Sequence, residues 1–183
     1  MNKNKFFRQI HIYVSLFFLP LALMYAITGI AYIFGANQDI GLKEQSFSVK
    51  QTLTIGKEKE ELLTLLKELK LKIPSHTELK NDKREGGMSM GGVHYSVNIK
   101  QESDQVIITT KERSLLGDMI MLHKDKGKWY FAVLSVGFGL ALITLYISGL
   151  MITLVAMKKD RQKQLLTLAF AFVITFILAY LSL

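Results

Sequence analysis

The chain has 183 residues, half of them hydrophobic and about a fifth charged, with a net charge of +8. Such a composition excludes a disordered chain, which is poor in aromatic and branched aliphatic residues. It also excludes a disulfide scaffold, thiolate catalysis, cysteine-ligated zinc and iron–sulfur clusters, because there is no cysteine.

Charge and apolar surface are segregated along the chain. Ile10 to Gly35, Trp129 to Met157 and Leu165 to Leu183 contain no Asp, Glu, Lys or Arg. Crossing a hydrocarbon core takes roughly 20 helical residues, so each run is long enough. Helices are the form expected, since lipid leaves no partner for open backbone groups. The expected divisions are a tail at 1–9, spans at 10–35, 129–157 and 165–183, a domain at 36–128 and a loop at 158–164.

The charges then fall into place. Residues 1–9 carry Lys3, Lys5 and Arg8; residues 158–164 carry Lys158, Lys159, Arg161 and Lys163 against Asp160. Each segment is +3, while 36–128 holds 16 basic and 14 acidic residues. The positive-inside rule therefore predicts a cytoplasmic N-terminus, an extracytoplasmic domain and a periplasmic C-terminus. This orientation accounts for the basic excess and removes the usual reason to suspect nucleic-acid binding. The N-terminal apolar run exceeds a signal-peptide core and lacks a cleavage site, so it reads as an uncleaved anchor.

Within 36–128, Phe47, Val49, Leu53 and Ile55 share one parity and predict a strand. Lys57 to Lys72 places Leu62, Leu65, Leu66 and Leu69 at helical spacing, and Ile73-Pro74 is expected to end that helix. Residues 75–92 are polar and glycine-rich and read as a loop. Val93 to Ile99 and Gln105 to Glu112 read as an antiparallel hairpin, and Ser114 to Lys124 as a short helix. The fold class expected is membrane α-helical, with three transmembrane helices and a small extracytoplasmic α+β domain between the first two.

His11 lies one turn inside the first run, on a face shared with Ser15, Phe18, Ala22, Tyr25 and Gly29. It is either a metal or haem ligand or an interfacial histidine bonded to a headgroup or carbonyl. His123 stands just before the second run. The topology separates the two by about a membrane thickness, on the order of 30 Å, so one iron cannot join them. A second axial ligand would come from a symmetry mate or from Met157, since His–Met ligation of haem is chemically sound. Gly137, Ala141, Thr144 and Ser148 form a small-residue stripe, which suits close helix packing or a cofactor groove. Met88, Met90 and His94 lie in or beside a glycine-rich stretch and could supply soft ligands for copper(I), although a mobile surface loop is the plainer reading.

Two stretches carry a family resemblance. Arg8-x-x-His11 is followed by Ser15-Leu16-Phe17-Phe18-Leu19-Pro20 and closes on Thr28-Gly29. Leu122-His123-Lys124-x-x-Gly127 precedes a run closing on Ser148-Gly149. This pattern, from about residue 6 to 155, resembles the PepSY-associated transmembrane family, and the intervening domain is compatible with a diverged PepSY-like module. The resemblance implies an inner-membrane protein. Some members resemble haem-containing reductases acting on ferric siderophores, with histidines in or near the spans as ligands. It thus implies haem b on His11 and His123, in electron transfer or iron assimilation, within a homodimer or larger membrane complex. Other members use the PepSY module to bind or restrain a protein partner. That alternative makes the chain a non-enzymatic adaptor, with strand 105–112 offered as a sheet edge. With fewer spans and histidines than the reductase-like members, the chain leaves its status as an enzyme open.

Overall fold

A computed structural model describes residues 3–54, 56–83, 85–156 and 158–183. Its elements in chain order are α1 (Lys3–Ile33), β1 (Lys43–Val49), α2 (Glu58–Glu68), β2 (Lys80–Asn81), β3 (Met88–Gly91), β4 (Tyr95–Glu102), β5 (Gln105–Glu112), α3 (Leu115–His123), α4 (Trp129–Met151) and α5 (Arg161–Leu181). A π-helical turn, Ile152–Ala156, and a 3₁₀ turn, Lys158–Asp160, stand between α4 and α5. Among the described residues, three helical stretches are long and apolar enough to cross a membrane: Lys5–Ile33, Trp129–Val155 and Arg161–Leu181. The chain divides into two compact units, one of residues 1–23 with 133–183 and one of residues 24–132.

In the first unit, α1 and α4 pair antiparallel. His11 meets Ser148 near one end of the pairing, and Phe18 meets Phe138 further along it. Leu21, Phe138, Ala141 and Ser148 are buried in this unit. Gly137 faces the Phe18 ring, whereas nothing approaches Gly139 and Thr144 is exposed. Only part of the small-residue stripe therefore serves as a packing surface. No residue of α5 is buried, and its leucines, phenylalanines and isoleucines point outward. Outward apolar surface of this kind is consistent with contact to a lipid bilayer.

The second unit contains an antiparallel sheet ordered β1-β5-β4-β3-β2. One face carries Phe47, Val49, Met90, Val97, Ile99, Val106 and Ile108, which pack with Leu62, Leu65 and Leu66 of α2 into the core. Period-two alternation on the strands and 3.6-residue spacing on α2 put these side chains on facing surfaces. The helix starts with Glu58, Glu60 and Glu61 in its first turn, which suits the positive end of its dipole. It ends earlier than Pro74 predicts. Lys70 adopts a left-handed conformation (φ 53°) and the Leu71 N–H bonds back to Leu66 O at 2.8 Å, so a C-cap closes the helix first.

Three expectations are corrected. The first strand runs from Lys43 and stops at Val49, because the chain leaves its pairing with β5 there. Leu53 still packs on the core from beyond the strand, and Ile55 lies outside the described residues. Residues 75–92 are not one loop, since β2 and β3 extend the sheet within them. Two glycines there are held tightly. A side chain on Gly87 (φ 75°) would collide with the Ile99 carbonyl, and one on Gly91 (φ 125°) would sit 2.5 Å from the Tyr95 carbonyl. Finally, β5 is no edge strand. It runs between β1 and β4, with both edges paired along its length, so strand addition at 105–112 is blocked.

Candidate functional site: two histidine–hydroxyl pairs

Each histidine of the repeated pattern meets a small hydroxyl residue far away in sequence. In the first unit His11 Nδ1 lies 3.0 Å from Ser148 Oγ. In the second unit His123 Nδ1 lies 2.6 Å from Thr28 Oγ1. The hydroxyl residues are the ones that close each motif, Thr28 before Gly29 and Ser148 before Gly149. Thr28 and Ser148 are both 2% exposed.

Each hydroxyl also bonds back to its own helix. Thr28 Oγ1 has one hydrogen, which it gives to the Met24 carbonyl at 2.7 Å with the Tyr25 carbonyl at 3.2 Å. Ser148 Oγ likewise donates to the Leu145 carbonyl at 3.0 Å. Such back-bonding to the preceding helical turn is the usual habit of Ser and Thr in helices. A hydroxyl so engaged can accept from the imidazole it faces; with Nδ1 as the donor, Nε2 is the nitrogen that keeps its lone pair.

Neighbouring groups hold the rings further. The Tyr25 ring lies against His123 at 4.2 Å between centroids, tilted by 36°. Ser15 Oγ donates to the His11 carbonyl at 2.6 Å, which ties off the backbone of that turn. His123 is the last residue of α3, a helix anchored at its other end. Ser114 caps it by accepting from Gly117 N–H at 3.2 Å, and donates its own hydroxyl to the Ile40 carbonyl at 2.5 Å. Beside His123, Lys124 reaches Gln38 at 2.8 Å and lies over the Tyr32 ring at 5.1 Å.

The donor chemistry fits haem iron at each imidazole separately. A ring that gives its Nδ1 proton to an acceptor and holds a basic Nε2 is the form in which histidine ligates metal. Each pair would provide one axial ligand. Met157, the third residue expected for this role, lies outside the described residues.

The soft-ligand set behaves differently. Met90 is 2% exposed and belongs to the core beneath α2, with Met88 packed against the same cluster. His94 is engaged by carboxylates, with Nδ1 at 2.7 Å from Asp118 and Nε2 at 3.6 Å from Glu112. The thioethers serve packing while the imidazole contacts two carboxylates, so copper(I) gains no support here. Among the described residues no group of three or more His, Cys, Asp or Glu is placed to hold a metal ion.

Sequence reasoning missed the roles of Thr28, Ser148 and Asp118. A signal for the first two was present. A histidine at the border of one apolar run and a hydroxyl closing the other, repeated in reverse, is a pattern suited to pairing between distant segments. Asp118 left no signal beyond its place in the first turn of a helix.

No family model, curated protein or solved structure matches the chain.

Proposed function

We propose that the protein is an inner-membrane protein of PepSY-associated type that holds haem b through His11 and His123 and serves transmembrane electron transfer or iron assimilation. The N-terminus is cytoplasmic, and the sheet unit and the C-terminus are periplasmic. One observation carries this reading: each histidine sets Nδ1 against a buried hydroxyl. A hydroxyl that accepts the Nδ1 proton leaves Nε2 as the nitrogen that can ligate a metal. Haem b, when bound, supplies a one-electron couple. The chain's own residues do the rest. Ser148 and Thr28 hold the ring orientation through Nδ1, and Tyr25 braces the His123 ring. A second copy or another membrane subunit would supply any further ligand.

The test is a dithionite-reduced minus oxidised spectrum of the purified protein in mild detergent. A haem band is expected, and its absence from protein made in haem-replete cells overturns the reading. His11→Ala and His123→Ala should each lower the haem content, and full retention in both refutes the ligand assignment.

A second reading has one specific observation behind it. β1 pairs with β5 along one side and forms an end of the sheet, so the outer edge of Lys43–Val49 is available for a partner strand. The protein would then be a non-enzymatic adaptor binding a periplasmic protein. A stoichiometric partner copurifying with haem-free chain would favour it.

A further inference from the structure

The antiparallel pairing of α1 with α4 has a consequence for charge. His11 meets Ser148, so the residues before His11 and those after Ser148 leave the pair at the same end. Lys5 and Arg8 precede His11 within α1, Lys5 by about 9 Å of helical rise. Lys159, in the 3₁₀ turn, and Arg161 and Lys163, at the start of α5, come after Ser148. Two cationic segments some 150 residues apart in sequence thus share one end of the unit.

The end has little charge of its own to offset them. Asp160 is the acidic residue of the second segment, and the first turns of α1 and α5 carry no acidic side chain. Among the described residues, Lys5, Arg8, Lys159, Arg161 and Lys163 take part in no ion pair. The contrast with the sheet unit is direct. There Lys80, Lys100 and Lys111 each have a carboxylate partner. Beside these uncompensated cations stand the apolar surfaces of α1, α4 and α5.

We propose that this end of the helical unit is a binding site for anionic phospholipid headgroups, with acyl chains lying along the adjoining helices. Apolar surface next to a cationic cluster is the complement of an anionic lipid, whose phosphodiester sits directly above its chains. Arginine can take phosphate oxygens in two-pronged fashion, and lysine acts as a mobile point charge. The site goes beyond orientation in the membrane: it selects lipids from the surrounding bilayer.

The full chain, reconstituted in nanodiscs of phosphatidylcholine with a minor share of phosphatidylglycerol, provides the test. After detergent re-extraction, the lipid retained by the protein is quantified by mass spectrometry. Phosphatidylglycerol should be enriched about threefold or more over its bulk share, and the enrichment should collapse in high salt. The variant Lys5→Gln/Arg8→Gln/Arg161→Gln/Lys163→Gln should lose it, while Lys126→Gln/Lys128→Gln, in the other unit, should keep it. Equal retention of both lipids by the native chain overturns the proposal, as does enrichment indifferent to salt. If the fourfold variant fails to insert, the salt response of the native chain decides. Displacement of the lipid by millimolar inorganic phosphate would mark a site for free anions and also overturn it.

Discussion

The sheet unit and the long helices use the same kinds of side chain in opposite directions. In the sheet unit Leu62, Leu66, Val106 and Ile108 are fully buried, and lysines and glutamates cover the outside. In α5 the leucines, isoleucines and phenylalanines face outward, and no residue is buried. An apolar side chain is stabilising only where it leaves water. The first region meets that condition by packing against itself. The second meets it through surroundings outside the chain, as lipid would supply. Polar groups show the same reversal. Serines and threonines of the sheet bond across strands at the surface, as Ser46 does with Thr109 at 3.1 Å. In the helices Thr28 and Ser148 are buried, and each serves a histidine.

The largest expected effect breaks one side of this comparison alone. Leu66→Ala should cost the sheet unit about 2–5 kcal/mol, because it opens a cavity in a filled core. Hydrogen exchange at β4 and β5 amides would report it. Leu166→Ala, at a position 70% exposed, should change stability by less than about 0.5 kcal/mol in detergent. A comparable loss at both would mean that α5 is covered by something the chain itself does not provide.

Next come the buried hydroxyls. Thr28→Val and Ser148→Ala keep most of the side-chain volume but remove the hydroxyl bonded to a ring nitrogen. Each should cost about 1–3 kcal/mol in thermal unfolding, the range for an unsatisfied buried donor. A haem-loaded protein should also show a shifted reduction potential. Unchanged stability in both would reduce these contacts to surface chemistry and erase the contrast with Ser46.

A smaller effect belongs to Lys111, which pairs with Glu85 and Glu44. Burial alone would lower the affinity of its amine for the proton, but the hydrogen bonds and charges of Glu85 and Glu44 outweigh this and raise the pKa. Tyr95 is also raised, by burial first and then by the Glu112 charge. Both groups bind their proton more tightly in the folded state. Their contributions are complete below the ordinary values of 10.5 and 10.0 and are lost as pH climbs through the elevated folded ones. Urea midpoints of the sheet unit should therefore fall in alkaline solution. Lys111→Met should cost about 1–2 kcal/mol near neutrality and flatten that fall. The smallest change is expected from Glu102→Gln. Its pair with Lys100 at 2.6 Å is exposed on both sides and should contribute no more than about 0.5 kcal/mol, screened by salt.

Much of this was legible in one dimension because it depends on neighbours in sequence. Three uncharged runs announce long apolar helices through length alone. Leu62, Leu65, Leu66 and Leu69 announce α2 through helical spacing, and alternation over 93–112 announces the hairpin. The less legible parts depend on partners far along the chain. Met88 and Met90 look like members of a loop until β4 is placed beside them, because three residues between glycines carry too little periodicity. Nothing in 105–112 distinguishes an edge from a centre; that is decided by β1, some 60 residues earlier, pairing on its open side.

The candidate site divides along the same line. His11 and His123 stand out in the sequence because a titratable ring at the border of an apolar run is costly without a partner. Which atom satisfies each ring is a tertiary matter, since the partners lie 137 and 95 residues away. Local sequence, acting through hydropathy and helical period, determined the three apolar helices, the amphipathic α2 and the hairpin. Only the antiparallel meeting of distant segments decided the order of the sheet, the hydroxyl that faces each imidazole, and the gathering of two cationic segments at one helix end. Those depend on contacts across the chain, and local periodicity does not encode them.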